Sequence, residues 1–376
     1  MIRLVIPIAL FLLSLLAVFN APAYYLWLMA IAVTEYPLVF VAITIVVLLT
    51  GFWMRQYNMA GSIAGILALL LFLSPIARAY KVAATLPDEM DASFGKSTLP
   101  PQKPFSWLKL FSSVQNSSYK TFTYANYTDI QLNLDFYSAH AKGNKPCVVV
   151  IHGGSWSSGD SKQLSELNTY LAKAGYNVAA INYRMAPKYK SPLQIEDVKN
   201  ALNYLRQHAD SLHIDTTQFV LLGRSAGAQI ALLAGYTLKD AGIKGVIDFY
   251  GPADMVWGYS LPANPLVMDS RAVMENYLGG TYTEVPQNYA ASSPIAFVNP
   301  NSPPTLIIHG ANDVLVAYEH SRRLNEKLEQ NGIKHFWLKL PWATHGFDYN
   351  LNGPGGQLST YAVGRFLDFV TKRPSQ

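Results

Sequence analysis

Five short, β-branched apolar runs, CVVVI (147–151), VAAIN (178–182), FVLLG (219–223), GVIDFY (245–250) and TLIIHG (305–310), alternate with helical stretches near 161–173, 195–209, 226–238 and 317–331. A strand that is apolar on both faces must be covered on both. Helices lying between such strands supply the covers, so this rhythm calls for a mostly parallel sheet wrapped in helices. Two alternating segments, YKTFTYA (119–125) and IQLNLDFYS (130–138), joined by the polar NYTD, add an antiparallel start. HFWLKL (335–340) adds a last strand, and a helix near 358–371 closes the order. The fold class is therefore α/β, a doubly wound sheet of about eight strands. In such sheets ligands bind beyond the carboxyl ends of the strands, which is where reactive residues are to be sought.

The residues before this region have a different composition. Across residues 1–80 the only charges are Arg3, Glu35, Arg55 and Arg78. A helix needs about 20 apolar residues to cross a hydrocarbon core of about 30 Å. Residues 59–77 and 37–54 meet that need; residues 4–19 are shorter, and 21–33 either extend them or lie at the interface. Three spans are expected, making 1–80 a multi-pass anchor in the lipid bilayer. A cleaved signal peptide ending at APA (21–23) is the alternative for the first segment, and leaves the other two in place. With Arg3 and Arg55 on the cytoplasmic side, the globular part falls outside the cytoplasm. Gly61 and Gly65 form a small-xxx-small pair suited to close helix packing. Residues 81–118, with LPPQKP at 99–104, read as a linker, and 119–376 as one globular domain.

The net charge of +5 is spread thinly, without the Lys/Arg stripes that a nucleic-acid partner would require. The single cysteine, Cys147, sits in a core strand and excludes an internal disulfide or a thiolate metal site. No clustered His/Cys set suggests a metal, and no organic cofactor is implied. The number of subunits is not encoded in any feature of the sequence.

Four strand ends carry suggestive residues. HGGSW (152–156) follows the first core strand; Gly153 and Gly154 let backbone N–H groups approach a substrate and meet a developing oxyanion. GRSAG (223–227) places Ser225 between a strand and a helix. Such a pentapeptide arises by chance in about one chain in eight of this length, so its context decides. Here Gly223 and Gly227 permit a sharp turn exposing Ser225, and the Ala226 N–H at the helix start is a further oxyanion donor. Asp313 follows TLIIHG, and His345 follows HFWLKL. A serine hydroxyl is a poor nucleophile until a histidine takes its proton and a carboxylate orients that histidine. Ser225, Asp313 and His345 occur in the chain order of that arrangement.

The stretches HGGSWSSGD, NYRMAPKYKSPLQIEDVKNALNYLRQHADSLHID, GRSAGAQIALLAG, FYGPAD, SPPTLIIHGANDVLV and THGF resemble the α/β-hydrolase superfamily. They are most similar to its hormone-sensitive-lipase-like and bacterial feruloyl-esterase-like carboxylesterases. The resemblance covers about residues 119–372. It implies a serine ester hydrolase acting on a small-molecule ester, with Ser225 as nucleophile, His345 as base, Asp313 as orienting acid, and the Gly153, Gly154 and Ala226 amides as oxyanion hole. An amidase, peptidase or arylformamidase with the same residues, or a non-catalytic binding module, are the alternatives. Ser155 stands where lipase-like members carry a third glycine, which points to the feruloyl-esterase-like and kynurenine-formamidase-like branch. Arg224, before the nucleophile, departs from the small or acidic residue usual there; it suits pairing with a nearby acid or favouring an anionic substrate, and a salt-bridged surface residue is its simplest reading. Asp248 and Asp254 are weaker candidates for the acid, and Asp197 reads as an ion-pair or cap residue. Residues 255–293 read as an insertion capping the strand ends. Trp156, Tyr250 and Trp257 are the expected substrate contacts.

Overall fold

Cys147–Ile151 pairs in parallel with Asn177–Ile181 on one side and with Phe219–Gly223 on the other, so the central strand is flanked by strands that come later in the chain. The computed structural model describes residues 2–52, 58–98, 100–114 and 117–371; Arg55 lies outside them. Its sheet contains β1 (Lys120–Asn126), β2 (Gln131–Tyr137), β3 (Lys145–Ile151), β4 (Asn177–Ile181), β5 (Ile214–Arg224), β6 (Ile243–Phe249), β7 (Thr305–Gly310) and β8 (His335–Leu340). The order is β1-β2-β4-β3-β5-β6-β7-β8. β2 runs antiparallel to β1 and β4, and the remaining pairs are parallel, matching the expected antiparallel start. Alternate residues of each strand enter opposite core layers, Val149 and Leu221 one, Val148 and Val220 the other.

Among the described residues, four α-helices precede the sheet: α1 (Ile2–Ser14), α2 (Tyr24–Glu35), α3 (Pro37–Leu49) and α4 (Asn58–Phe94). A Cβ on Gly61 would lie 2.2 Å from the Arg3 carbonyl oxygen, and one on Gly65 would lie 2.7 Å from a Leu48 methyl. The small-residue pair thus lets α1 and α3 close on α4. Arg3 is buried there, its Nη2 donating to Ser62 Oγ at 2.9 Å.

The three expected spans are not borne out. Among the described residues one helix, Met59–Phe94, is long and apolar enough to cross a membrane. α2 and α3 reach that length only as a pair, bent by 87°, and α1 is shorter. Nor is 81–94 a linker, because α4 continues through it. Leu86, Met90 and Phe94 recur at helical spacing and enter the core beside Phe336 and Phe366, while Asp88 and Glu89 remain exposed. The acidic residues that give the segment a linker-like composition are the solvent face of an amphipathic helix.

The sheet is covered by α5 (Ser165–Lys173), α6 (Leu193–Gln207), α7 (Ala209–Leu212) and α8 (Ala226–Thr237), and later by α12 (Glu319–Gln330) and α13 (Pro354–Val370). Between β6 and β7 the expected insertion folds as α9 (Met255–Ser260), α10 (Ser270–Leu278) and α11 (Pro286–Ala291). Asp254 and Asp269 cap the first two, accepting from Trp257 N at 3.0 Å and Ala272 N at 3.1 Å.

Candidate active site

β5 ends at Arg224 and α8 begins at Ala226, leaving Ser225 as the single residue of the turn, at φ 52° and ψ −120°. A non-glycine residue in such a conformation costs about 1–3 kcal/mol, which the packing around it must offset. The two glycines make the turn possible: a Cβ on Gly223 would lie 2.2 Å from the Gly227 carbonyl oxygen, and one on Gly227 would lie 2.2 Å from that of Ile151. Any side chain at either position would push the helix off the sheet.

His345 brings Nε2 to 2.9 Å from Ser225 Oγ and Nδ1 to 2.7 Å from Asp313 Oδ2. The carboxylate facing Nδ1 fixes the proton there, so Nε2 accepts from the serine hydroxyl. Asp313 Oδ1 accepts the backbone N–H groups of Leu315 and Val316, both at 2.9 Å. Burial alone would raise the Asp313 carboxyl, but His345 and His309 facing it hold it below the usual carboxylate range. His309, on β7, lies with Nε2 3.0 Å from Asp313 Oδ2 and 3.1 Å from Val316 O, while Nδ1 stands 2.6 Å from Ser321 Oγ. Two acceptors around Nε2 place its proton there and leave Nδ1 to accept from Ser321.

Two clefts meet at Ser225. The outer, of about 440 Å³, is lined by Tyr24, Trp27, Gly153, Gly154, Tyr250 and His345. The inner, of about 220 Å³, is lined by Ser155, Trp156, Ala226 and apolar cap residues including Leu261, Met268 and Val273. All three expected oxyanion donors, Gly153, Gly154 and Ala226, line the clefts, but the Gly153 N–H is already donated to Gln163 Oε1 at 2.7 Å. Trp156 lies flat on Tyr277, ring centroids 4.3 Å apart, and its Nε1 donates to Gln229 Oε1 at 3.0 Å. The Tyr250 ring is 4.4 Å from that of His345, and its hydroxyl donates to Asp348 at 2.5 Å. Trp257 is not brought to Ser225. It lines a separate cleft with Tyr259, Arg271 and Arg323, its ring beneath the Arg323 guanidinium and edge-on to His320.

Arg224 and Asp348 form a buried ion pair beside the elbow. Asp248 and Asp254 have other partners: Asp248 accepts from Gly251 N at 2.7 Å, and Asp254 pairs with Arg323 at 2.8 Å. Burial pushes the Asp248 carboxyl up to about 7. Asp197 is ion-paired with Arg184 at 2.8 Å, as expected. Three contributors were missed from sequence: Asp348, His309 and Gln163. The first two sit within THGFD and IIHGAND, so residues adjoining His345 and Asp313 were the available signal. Gln163 carries none.

The strand order, the strained serine turn and the serine–histidine–carboxylate chain define an α/β-hydrolase. Residues 134–328 match the profile of the BD-FAE family, and the chain belongs to that family. It is 30% identical over 248 residues to Esterase LipC of Mycobacterium tuberculosis, covering 61% of this chain and 60% of LipC. It is 27% identical to the same organism's Probable carboxylic ester hydrolase LipM, covering 73% of this chain and 65% of LipM. The chain therefore spans less than two thirds of these curated relatives. A Pyrobaculum calidifontis esterase structure superposes with a TM-score of 0.59 at 20% identity, over 68% of this chain and 86% of that one, a likeness of fold.

Proposed function

We propose that this chain is a membrane-anchored serine carboxylic ester hydrolase acting on small or medium acyl esters. The observation that carries the reading is the hydrogen-bonded series Ser225 Oγ, His345 Nε2, His345 Nδ1, Asp313 Oδ2, with separations of 2.9 and 2.7 Å. The relatives named as esterases support the same reaction class.

In this reading His345 Nε2 takes the Ser225 proton as Oγ attacks the ester carbonyl carbon. Negative charge develops on the carbonyl oxygen and is met by the Gly154 and Ala226 N–H groups. The Gly153 N–H joins them only when Gln163 releases it. Collapse of the tetrahedral species breaks the ester bond, and His345 returns the proton to the departing alcohol. Water, deprotonated by His345, then attacks the acyl-serine carbonyl, and the acid leaves as the proton returns to Ser225. Trp156 contributes to the apolar inner cleft and Tyr250 walls the histidine. Hydrolysis of acyl esters, formyl amides and peptides by the wild type and Ser225→Ala tests the assignment. Ester turnover lost in the variant supports it; turnover confined to amides, or unchanged in the variant, overturns it.

The anchor in this proposal is the apolar half of α4, with α1 and α3 packed against it. The reading places the sheet domain on the extracytoplasmic side: Arg3 bonds Ser62 near the start of α4 and Arg55 precedes α4 in sequence, so both basic residues belong to the end of the span opposite the sheet domain. Protease added to intact spheroplasts tests that placement: cleavage of the domain supports it, and protection overturns it.

A further inference from the structure

Apolar helix α2 overlaps residues 21–33, which from sequence either extend the first apolar segment or lie at the interface, and it packs on the loops that hold the serine–histidine–aspartate series. Trp27 Nε1 donates to the backbone carbonyl of His345 at 3.0 Å, a buried bond spanning most of the chain. Leu16, Ala21, Trp27 and Ile31 pack with Val314 and Leu315, the residues following Asp313. Tyr24 N donates to Leu266 O at 3.0 Å, and Asn264 Nδ2 to Pro22 O at 3.1 Å, joining the start of α2 to the cap. At its other end the buried Glu35 accepts from Gly355 N at 2.9 Å, and its carbonyl accepts from Asn350 Nδ2 at 2.7 Å. A lipid-facing helix needs none of these polar bonds, and a carboxylate facing hydrocarbon would be costly. The helix is therefore braced against the Asp313 loop, the His345 loop and the cap at once, and Tyr24 and Trp27 form one side of the outer cleft.

We propose that α2 is a wall of the active site, with Trp27 a positioning residue for His345 and Tyr24 a specificity-determining residue of the outer cleft. This rests on the ester-hydrolase reading above. His345 must keep Nε2 within hydrogen-bond reach of Ser225 while Nδ1 faces Asp313, and its carbonyl is the point where α2 fixes the loop. Loss of the indole N–H frees that loop, and displacements near 1 Å cost catalysis far more than they cost binding. Tyr24 presents an aromatic face to whichever arm of the ester occupies the outer cleft, and bulky aryl esters gain most from it.

The test uses the full-length chain in detergent, with active sites titrated by a fluorophosphonate. Trp27→Phe keeps an aromatic ring of smaller size and removes the donor. Its kcat per titrated site falls by about ten- to a hundredfold, with KM within about twofold. A lowered melting temperature and titrated fraction with kcat per titrated site unchanged overturns the positioning role. Tyr24 is 45% exposed, so Tyr24→Ala removes the wall without emptying the core. It lowers the ratio of kcat/KM for naphthyl over ethyl esters by about tenfold, whereas Tyr25→Ala, on the exposed side of α2, leaves the ratio unchanged. An unaltered ratio in Tyr24→Ala, or equal losses in both variants, overturns the specificity role. A wild type that neither labels nor hydrolyses esters sinks the hydrolase reading and this inference with it. An active wild type matched by both Trp27→Phe and Tyr24→Ala sinks this inference alone.

Discussion

Arg224 Nε stands 2.5 Å from Asp348 Oδ2, and both side chains are 2% exposed. Arg224 immediately precedes the elbow serine and Asp348 lies in the His345 loop, so the pair fastens together the two segments whose side chains must meet. Tyr250 donates to the other Asp348 oxygen. A buried pair adds little net stability over apolar residues of the same shape, but breaking it strands a charge. Arg224→Met is expected to destabilise the fold by about 3–5 kcal/mol, and Arg224→Met/Asp348→Asn to recover part of that loss. Denaturant unfolding of the three proteins in detergent checks this; a double variant no more stable than the single one contradicts it.

Asp313 is held by two imidazoles, of which only His345 also reaches Ser225. Asp313→Asn removes the charge that fixes the His345 tautomer, and kcat is expected to fall about 10⁴-fold with the fold retained. His309→Phe removes one hydrogen bond to a charged acceptor, worth about 1.5–3 kcal/mol, and leaves the His345 contact in place. Its loss of kcat is therefore the smaller. Steady-state kinetics with an acyl ester decide the order.

Two buried acids give opposite pH dependences. Asp313, held below the usual range, contributes stability above the ordinary carboxyl value of 3.8 that is lost as pH falls below it. Asp248, raised to about 7 by burial, keeps its proton in the folded chain while the unfolded chain releases it near 3.8. Between those values the unfolded state binds fewer protons, so Asp248 lowers stability as pH rises through that window. Asp248→Asn is expected to lose less melting temperature than the wild type on going from pH 5 to pH 8. Parallel curves would show that Asp248 does not titrate in this range.

The two halves of α4 answer differently to truncation. Met90 is fully buried in the core layer behind the sheet, and Met90→Ala is expected to cost about 2–5 kcal/mol. Leu70 is 60% exposed on the apolar half, and Leu70→Ala in detergent is expected to stay within about 0.5 kcal/mol of wild type. Equal losses would mean that the helix behaves as a single packed element along its length.

The sheet and the Ser225, Asp313 and His345 positions were legible because each depends on local chemistry. Runs as short and β-branched as CVVVI favour strands covered on both faces, and the Ser225 turn needs glycines at 223 and 227. Helix α2 was not legible: APAYYLWLMAIAV has the same apolar character whether it meets lipid or a protein loop, and its placement depends on Trp27 finding the His345 carbonyl. Glu35 was the available sign, a carboxylate that needs a partner, but nothing local names Gly355. The same limit applies to Asp348 and Gln163, whose roles arise only when distant loops meet. The proline and polar residues of 81–94 misled because composition reports a polar face without the apolar face opposite it.

A Ser225 nucleophile activated by His345 takes up a fluorophosphonate covalently, and peptide mass spectrometry of the treated chain locates the adduct. A single adduct on Ser225, absent from Ser225→Ala and strongly slowed in His345→Ala, is the predicted result. An adduct on another residue, or equal labelling of wild type and Ser225→Ala, would contradict it.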